Sequence, residues 1–159
     1  SMRILYWGPR RIAESEEREL GLTYVALDQL LAESDFVSIH APLKPETHHL
    51  IGARELALMK PTAFLVNTAR GPIVDEQALV KALADRRIAG AALDVYEHEP
   101  RVEPALLTMA NVVLTPHIGS AVAELREGMA HVVVDNIVAV LEGRVPPNCW
   151  NPEIYATSR

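Results

Sequence analysis

Apolar residues along this chain come in short runs, and amphipathic stretches separate one run from the next. Arg3-Ile4-Leu5-Tyr6-Trp7 predicts a strand ended by Gly8-Pro9, and the charged segment from Ile12 to Leu20 predicts a helix. Gly21 follows that helix as a natural left-handed cap. A short strand at Thr23-Tyr24-Val25 and a short helix from Asp28 to Ser34 come next. The strand Phe36-Val37-Ser38-Ile39-His40 then runs into a loop carrying Pro42 and Pro45. Arg54 to Lys60 predicts a helix that stops before Pro61, because the residue ahead of a proline is pushed out of the helical region. Ala63-Phe64-Leu65-Val66-Asn67 is almost wholly apolar, which predicts a strand buried on both faces. Asp75 is placed to cap a helix whose Ala78, Leu79, Ala82 and Leu83 share one face. Ile88 to Val95 and Asn111 to Leu114 predict the last two strands.

From Ser120 to Gly143 the period changes to that of one long helix, with Leu125, Met129, Val132, Val133, Asn136, Ile137, Val140 and Leu141 on a single stripe. Glu124 and Glu127 suit the positive end of its dipole. The tail from Arg144 carries three prolines and predicts an extended segment that needs a surface to lie against. Strands alternating with helices define the class as α/β, a parallel sheet with helical crossovers. No internal repeat or low-complexity segment interrupts the pattern.

Composition narrows the function classes. A length of 159 residues suffices for one domain with a core, and 49% apolar content places the chain among globular proteins. The net charge of −6 argues against a nucleic-acid partner, whose phosphates require a clustered basic face. No apolar run reaches the roughly 20 residues that span a bilayer, and the N-terminus has no secretory pattern. Cys149 is the single cysteine, so no internal disulfide forms and a reducing, cytoplasmic setting is expected. Ser1 ahead of Met2 reads as a cloning remnant before a native start.

In open parallel sheets, ligands bind beyond the carboxyl ends of the strands. Here those ends lead into Gly8 to Arg11, His40 to Leu43, Asn67 to Gly71, Asp94 to Glu99 and Thr115 to Ser120. Arg70, just past a buried strand and beside a glycine that permits a tight turn, reads either as a planar fork for a carboxylate or as a surface ion pair. Asp94 and Glu99 read as a polar loop or as fixed carboxylates, with Pro100 holding Glu99 extended. His117 lies on a proline-stiffened strand end ahead of Gly119 and a helix start, well placed to face a cleft. His40, His48, His49, His98 and His131 have no equally constrained position and read as structural or solvated. Taken as a set, Arg70, Glu99 and His117 make a carboxylate clamp, an orienter and an acid. No HxxxH or CxxC spacing suggests a metal, and no serine sits on a GxSxG turn.

Four ordered strings carry a family resemblance: His40-Ala41-Pro42-Leu43 with Pro45, Thr47 and Leu50-Ile51; Val66-Asn67-Thr68-Ala69-Arg70-Gly71 with Val74-Asp75; Leu93-Asp94-Val95-Tyr96 with Glu99-Pro100; and Pro116-His117-Ile118-Gly119-Ser120. They resemble the D-isomer-specific 2-hydroxyacid dehydrogenases, and Ile4-Leu5-Tyr6-Trp7-Gly8 with the arginines after it points to the glyoxylate and hydroxypyruvate reductase branch. The resemblance implies a Rossmann-like domain that reduces a small 2-oxoacid with NAD(P)H. Arg70 would hold the substrate carboxylate and polarise its carbonyl. His117 would protonate the carbonyl oxygen, with Glu99 orienting the imidazole and favouring its charged form. Asp94 would hold the nicotinamide carboxamide, while Pro42, Thr47, Thr68, Ala69, His117 and Gly119 would lie along the cofactor. An acid at the end of the second strand marks NAD sites. Gly8 stands in that place and Arg10 and Arg11 follow, so NADP is expected over NAD, with two solvated arginines as the alternative.

The resemblance also implies parts that the sequence does not contain. It has no GxGxxG, and its first strand matches the second strand of the family's nucleotide domain. The expectation is therefore a partial dinucleotide-binding domain over 1–120, without the first strand. A linker helix and tail over 121–159 would pack on a substrate domain or a partner chain. The missing strand belongs in the middle of a 3-2-1-4-5-6 sheet, where unpaired backbone is costly. A homodimer or strand-swapped oligomer, a rearranged Arg3 to Val25 region, or a separately supplied remainder would each answer that cost. Low or absent activity of the chain by itself is expected, the other possibility being a non-catalytic dimerising module of the same descent.

Overall fold

The computed structural model describes residues 2–155; Ser1, the expected cloning remnant, and residues 156–159 lie outside them. The chain falls into two compact units, Ser1–His117 and Ile118–Arg159.

The first unit alternates strands and helices: β1 (Ile4–Tyr6), α1 (Glu14–Leu20), β2 (Leu22–Tyr24), α2 (Leu27–Glu33), β3 (Phe36–Ile39), α3 (Ala53–Leu58), β4 (Phe64–Asn67), α4 (Glu76–Ala84), β5 (Gly90–Leu93) and β6 (Val112–Leu114). Every strand pairing is parallel, as crossover helices require. The helix boundaries follow local chemistry. Gly21 closes α1 at φ 67, and its N–H donates to Glu17 O. Asp75 caps α4 by accepting from the Ala78 N–H.

The strands form two sheets, β1-β2 and β3-β4-β5-β6. Between β1 and β3, where the resemblance places the absent strand, no strand pairs among the described residues. Residues 3–25 do not rearrange in response: β1, α1 and β2 keep a parallel unit in which Ile4 pairs with Leu22 and Tyr6 with Tyr24.

Register explains which residues reach the core. Val37, Leu65, Ala91 and Val112 share one row of the four-stranded sheet, and Ile39, Asn67, Leu93 and Leu114 share the row two residues on. With period-2 alternation these rows share one face. They pack with Leu31 of α2, Leu56 of α3, and Leu79 and Leu83 of α4, together with Met59 just past α3. Fully burying each such leucine stabilises the fold by about 1.5–3 kcal/mol.

The opposite face corrects an expectation. β4 is not buried on both sides, since Phe64 is 41% exposed and Phe36 beside it is 64% exposed. The two rings stack with centroids 5.5 Å apart. The apolar composition of β4 comes from one packed face and one bare aromatic face.

In the second unit a long helix, α5, runs from Ala123 to Leu141. Leu125, Met129, Val132, Val133, Ile137, Val140 and Leu141 of its apolar stripe are all exposed. Asn136, on the same stripe, does something different. Its Nδ2 donates to Asn148 Oδ1 and its Oδ1 accepts from the Asn148 N–H, at 3.0 and 3.1 Å. The proline-rich tail is thus tied back to its own helix. No helix among the described residues is long and apolar enough to cross a membrane.

Candidate active site

The loops beyond the carboxyl ends of β3, β4, β5 and β6 carry most of the expected site residues. At the end of β4, Asn67 is 1% exposed and bonds the following loop through both ends of its amide. Its Nδ2 donates to Arg70 O at 3.0 Å, and its Oδ1 accepts from the Ala69 N–H at 3.1 Å. The backbone of 67–70 is thereby closed, and the Arg70 side chain is left exposed. Arg70 Nη1 donates to Ala69 O at 2.6 Å, and no carboxylate among the described residues pairs with the guanidinium. The surface-ion-pair reading of Arg70 therefore has no partner in this structure.

Gly71 corrects a second expectation. Its φ is not positive, so no tight turn demands glycine there. A Cβ at this position would lie 1.9 Å from both C and O of Tyr96, and 2.4 Å from Glu97 N. Glycine is needed because the arginine loop rests directly on the backbone of the loop after β5.

That loop is fixed by hydrogen bonds. The Tyr96 hydroxyl, buried, donates to Thr115 O at 2.7 Å and joins the ends of β5 and β6. Burial pushes the Tyr96 phenol pKa up from its ordinary value. Thr115 Oγ1 in turn donates to Asp94 Oδ1 at 2.5 Å, placing the buried Asp94 carboxylate at the strand end. The Tyr96 N–H donates to Glu99 Oε1 at 3.0 Å, and Glu99 Oε2 lies 2.8 Å from His117 Nδ1. An ionised carboxylate only accepts, so the imidazole donates from Nδ1 and its Nε2 remains for other work. The bond from His117 holds the Glu99 carboxyl below its usual range, and the charge of Arg70 acts in the same direction. These two hydrogen bonds fix the Glu99 carboxylate. His117 itself takes φ 52, a left-handed conformation uncommon for a residue with a side chain.

The loop after β3 supplies the other wall. His40, Ala41, Pro42, Leu43, Thr68, Ala69 and Arg70 line an open hollow of about 530 Å³. Thr47 braces this loop, its hydroxyl donating to Pro42 O at 2.7 Å and accepting from the Lys44 N–H at 2.8 Å.

Beyond β1 the two expected arginines separate. Arg11 forms a two-pronged ion pair with Glu17, both distances being 2.7 Å, and the Tyr6 hydroxyl also donates to Glu17 at 2.6 Å. Arg11 and then Tyr6 hold the Glu17 carboxyl down at about pKa 2. Arg10 is exposed and has no such partner among the described residues, and Gly8 O accepts from the Tyr24 hydroxyl at 3.1 Å. Gly119 belongs to the second unit.

Several residues with a part in the site were not singled out in the sequence. Asn67, Tyr96, Thr115 and Glu97 are the ones that hold the loops. The signal for the first was an asparagine ending an otherwise apolar strand, since a buried amide must spend its hydrogen bonds locally. His49, expected to be structural or solvated, is paired: its Nε2 lies 2.7 Å from Glu97 Oε1. The ring of His40 sits 2.9 Å from Ser38 Oγ.

Parallel strands, crossover helices on one face, and polar loops collected beyond the strand ends define a Rossmann-like nucleotide-binding domain. The chain belongs to the D-isomer specific 2-hydroxyacid dehydrogenase family, whose NAD binding domain matches residues 1–119. It is 52% identical over 157 residues to a glyoxylate reductase of Thermococcus litoralis, covering 99% of this chain and 47% of that protein. It is 53% identical over 154 residues to a glyoxylate/hydroxypyruvate reductase B of Enterobacter agglomerans, covering 96% and 47%. A crystal structure of a Thermus thermophilus protein superposes with a TM-score of 0.84 at 47% identity, covering 92% of this chain and 45% of the other. The chain thus spans about half the length of the curated relatives it matches.

Proposed function

We propose that this chain supplies the nucleotide-binding half and the proton-transfer pair of a reductase that converts a small 2-oxoacid, of the glyoxylate or hydroxypyruvate kind, into its D-2-hydroxyacid. The observation that carries the reading is the 2.8 Å Glu99–His117 pair, formed at the strand ends with the charge of Arg70 acting on it. Naming of the relatives as glyoxylate reductases supports the substrate class.

The nicotinamide, when bound, supplies the hydride that reaches the carbonyl carbon. The chain's own residues do the rest. Arg70, with no carboxylate partner among the described residues, takes the substrate carboxylate and polarises the neighbouring carbonyl. His117 gives a proton from Nε2 to the carbonyl oxygen, while Glu99 holds Nδ1 and carries the balancing negative charge. Asp94, anchored by Thr115, accepts from the carboxamide. Pro42, Thr68 and Ala69 line the hollow that would hold the cofactor.

For the cofactor, NADP is preferred and NAD remains usable. Gly8 provides no acid to repel a 2′-phosphate, and Arg10 is the cation left to attract it, because Glu17 already neutralises Arg11. The exposed α5 stripe supports a homodimer, since large contiguous apolar surfaces mark association sites. Turnover by the chain alone is slow, because its sequence holds no glycine-rich pyrophosphate turn.

NADPH binding to the chain by calorimetry, with NADPH oxidation in the presence of glyoxylate, tests both levels. His117→Ala abolishes turnover while NADPH binding remains measurable, and Arg10→Ala weakens NADPH more than NADH. Turnover unaffected by His117→Ala defeats the catalytic reading; NADH bound more tightly than NADPH defeats the cofactor preference.

A further inference from the structure

We propose that His48, His49 and Glu97 form a binding site for a zinc-class divalent transition-metal ion. Each residue offers one ligand atom, and the three atoms lie within 4.8 Å of one another. No sequence spacing announced the set, because Glu97 comes from the loop after β5 while the histidines lie between β3 and α3.

The backbone builds the cluster. Adjacent side chains in an extended segment point to opposite sides. Here His49 takes φ 51, and the two imidazoles lie together with centroids 4.0 Å apart and planes at 33°. The segment is held in that shape from below: the His49 N–H donates to Pro72 O at 2.9 Å, and the Ile51 N–H donates to Ile73 O at 3.1 Å. Glu97 is oriented just as firmly. Its Oε2 accepts from the Glu76 N–H at 3.2 Å, its own N–H donates to Glu76 Oε1 at 2.7 Å, and its Oε1 is left facing the histidines. Such outer partners fix ligand direction in metal sites.

Two imidazoles and a carboxylate make a three-ligand set that leaves a fourth position for water. Metal–ligand distances near 2.0–2.2 Å ask for closer approach than the cluster shows. The contraction falls on the exposed His48 alone, because the 2.7 Å His49–Glu97 contact opens to about 3.3 Å, the separation of two tetrahedral ligands at those distances. A simple His49–Glu97 ion pair gives His48 no part, so that residue discriminates the two accounts.

The test is calorimetric titration of the tag-free chain with zinc chloride at neutral pH. A single saturable ion per chain is expected. His48→Ala should weaken binding by about 10-fold or more, since even outer-sphere changes cost 10- to 100-fold, with an unchanged circular dichroism spectrum. His131→Ala, on the exposed surface of α5, should bind as the parent does. Absence of saturable zinc binding, or His48→Ala binding zinc like the parent, overturns the proposal.

Discussion

Gly71→Ala is the substitution whose cost the structure defines most sharply. The added methyl would meet two backbone atoms of Tyr96 at 1.9 Å and Glu97 N at 2.4 Å. Ordinary carbon contacts begin near 3.5 Å, so one loop must retreat by about 1.5 Å. Neither has room: Gly71, Ile73 and Tyr96 are buried, and Asn67 clamps the arginine loop from inside. Overpacking a closed core costs about 1–3 kcal/mol, and rigid backbone on both sides places this case at the upper end. For a chain of this length that corresponds to a fall of roughly 5–10 °C in Tm. Thermal unfolding followed by circular dichroism reads it directly. Gly128→Ala is the natural control, because Gly128 lies inside α5 with nothing within 4 Å of the new methyl. There alanine should stabilise by up to about 1 kcal/mol through helix propensity. A Gly71→Ala protein melting with the parent would refute the reasoning, since it would mean that the two loops are not in rigid contact.

Glu17→Gln should lower stability at neutral pH, and the deficit should shrink in acid. The folded pKa of about 2 lies below the ordinary 4.5, so the contribution is present above about pH 4.5 and is lost as pH falls towards 2. Urea midpoints of both proteins across that range check it, and a deficit independent of pH would contradict the assignment to the Arg11 pair. Asn136→Ala should release the tail, because it removes both amide bonds to Asn148. The local cost is about 0.5–1.5 kcal/mol per bond, partly offset by alanine's better helix propensity. Limited proteolysis should then cut residues 144–150 faster, and an unchanged rate would show that something else holds them.

Most elements were legible because they rest on local rules. Gly21 as a left-handed cap, Asp75 as an N-cap and the helix stop before Pro61 are decisions made within a few residues. What escaped depends on neighbours far along the chain. The purpose of Gly71 is set by Tyr96, which the sequence does not bring near it until β4 and β5 pair. β4 looked buried on both faces because composition counts apolar residues without asking which face each one takes; Phe64 takes the bare one. Arg70, Glu99 and His117 were recognisable as types and as motif members, whereas the Glu99–His117 bond and the capture of Arg11 by Glu17 are visible only in three dimensions.

The hydrogen bonds around the candidate site separate the proposed proton-transfer pair from the arginines proposed to meet a nucleotide. Asn67 closes the arginine loop, Gly71 sets that loop on Tyr96, and Tyr96 binds Thr115 and Glu99, which reach Asp94 and His117. Every link in that series comes from the loops of the four-stranded sheet, and none uses β1, β2 or α5. No buried side-chain polar atom among the described residues lacks a partner, so the series is complete as it stands. Arg10 and Arg11, by contrast, sit with the separate β1-β2 sheet. Complementarity to a transition state is built from groups already fixed before the substrate arrives. By that criterion the Glu99–His117 pair, proposed to transfer the proton, is preorganised within these residues alone.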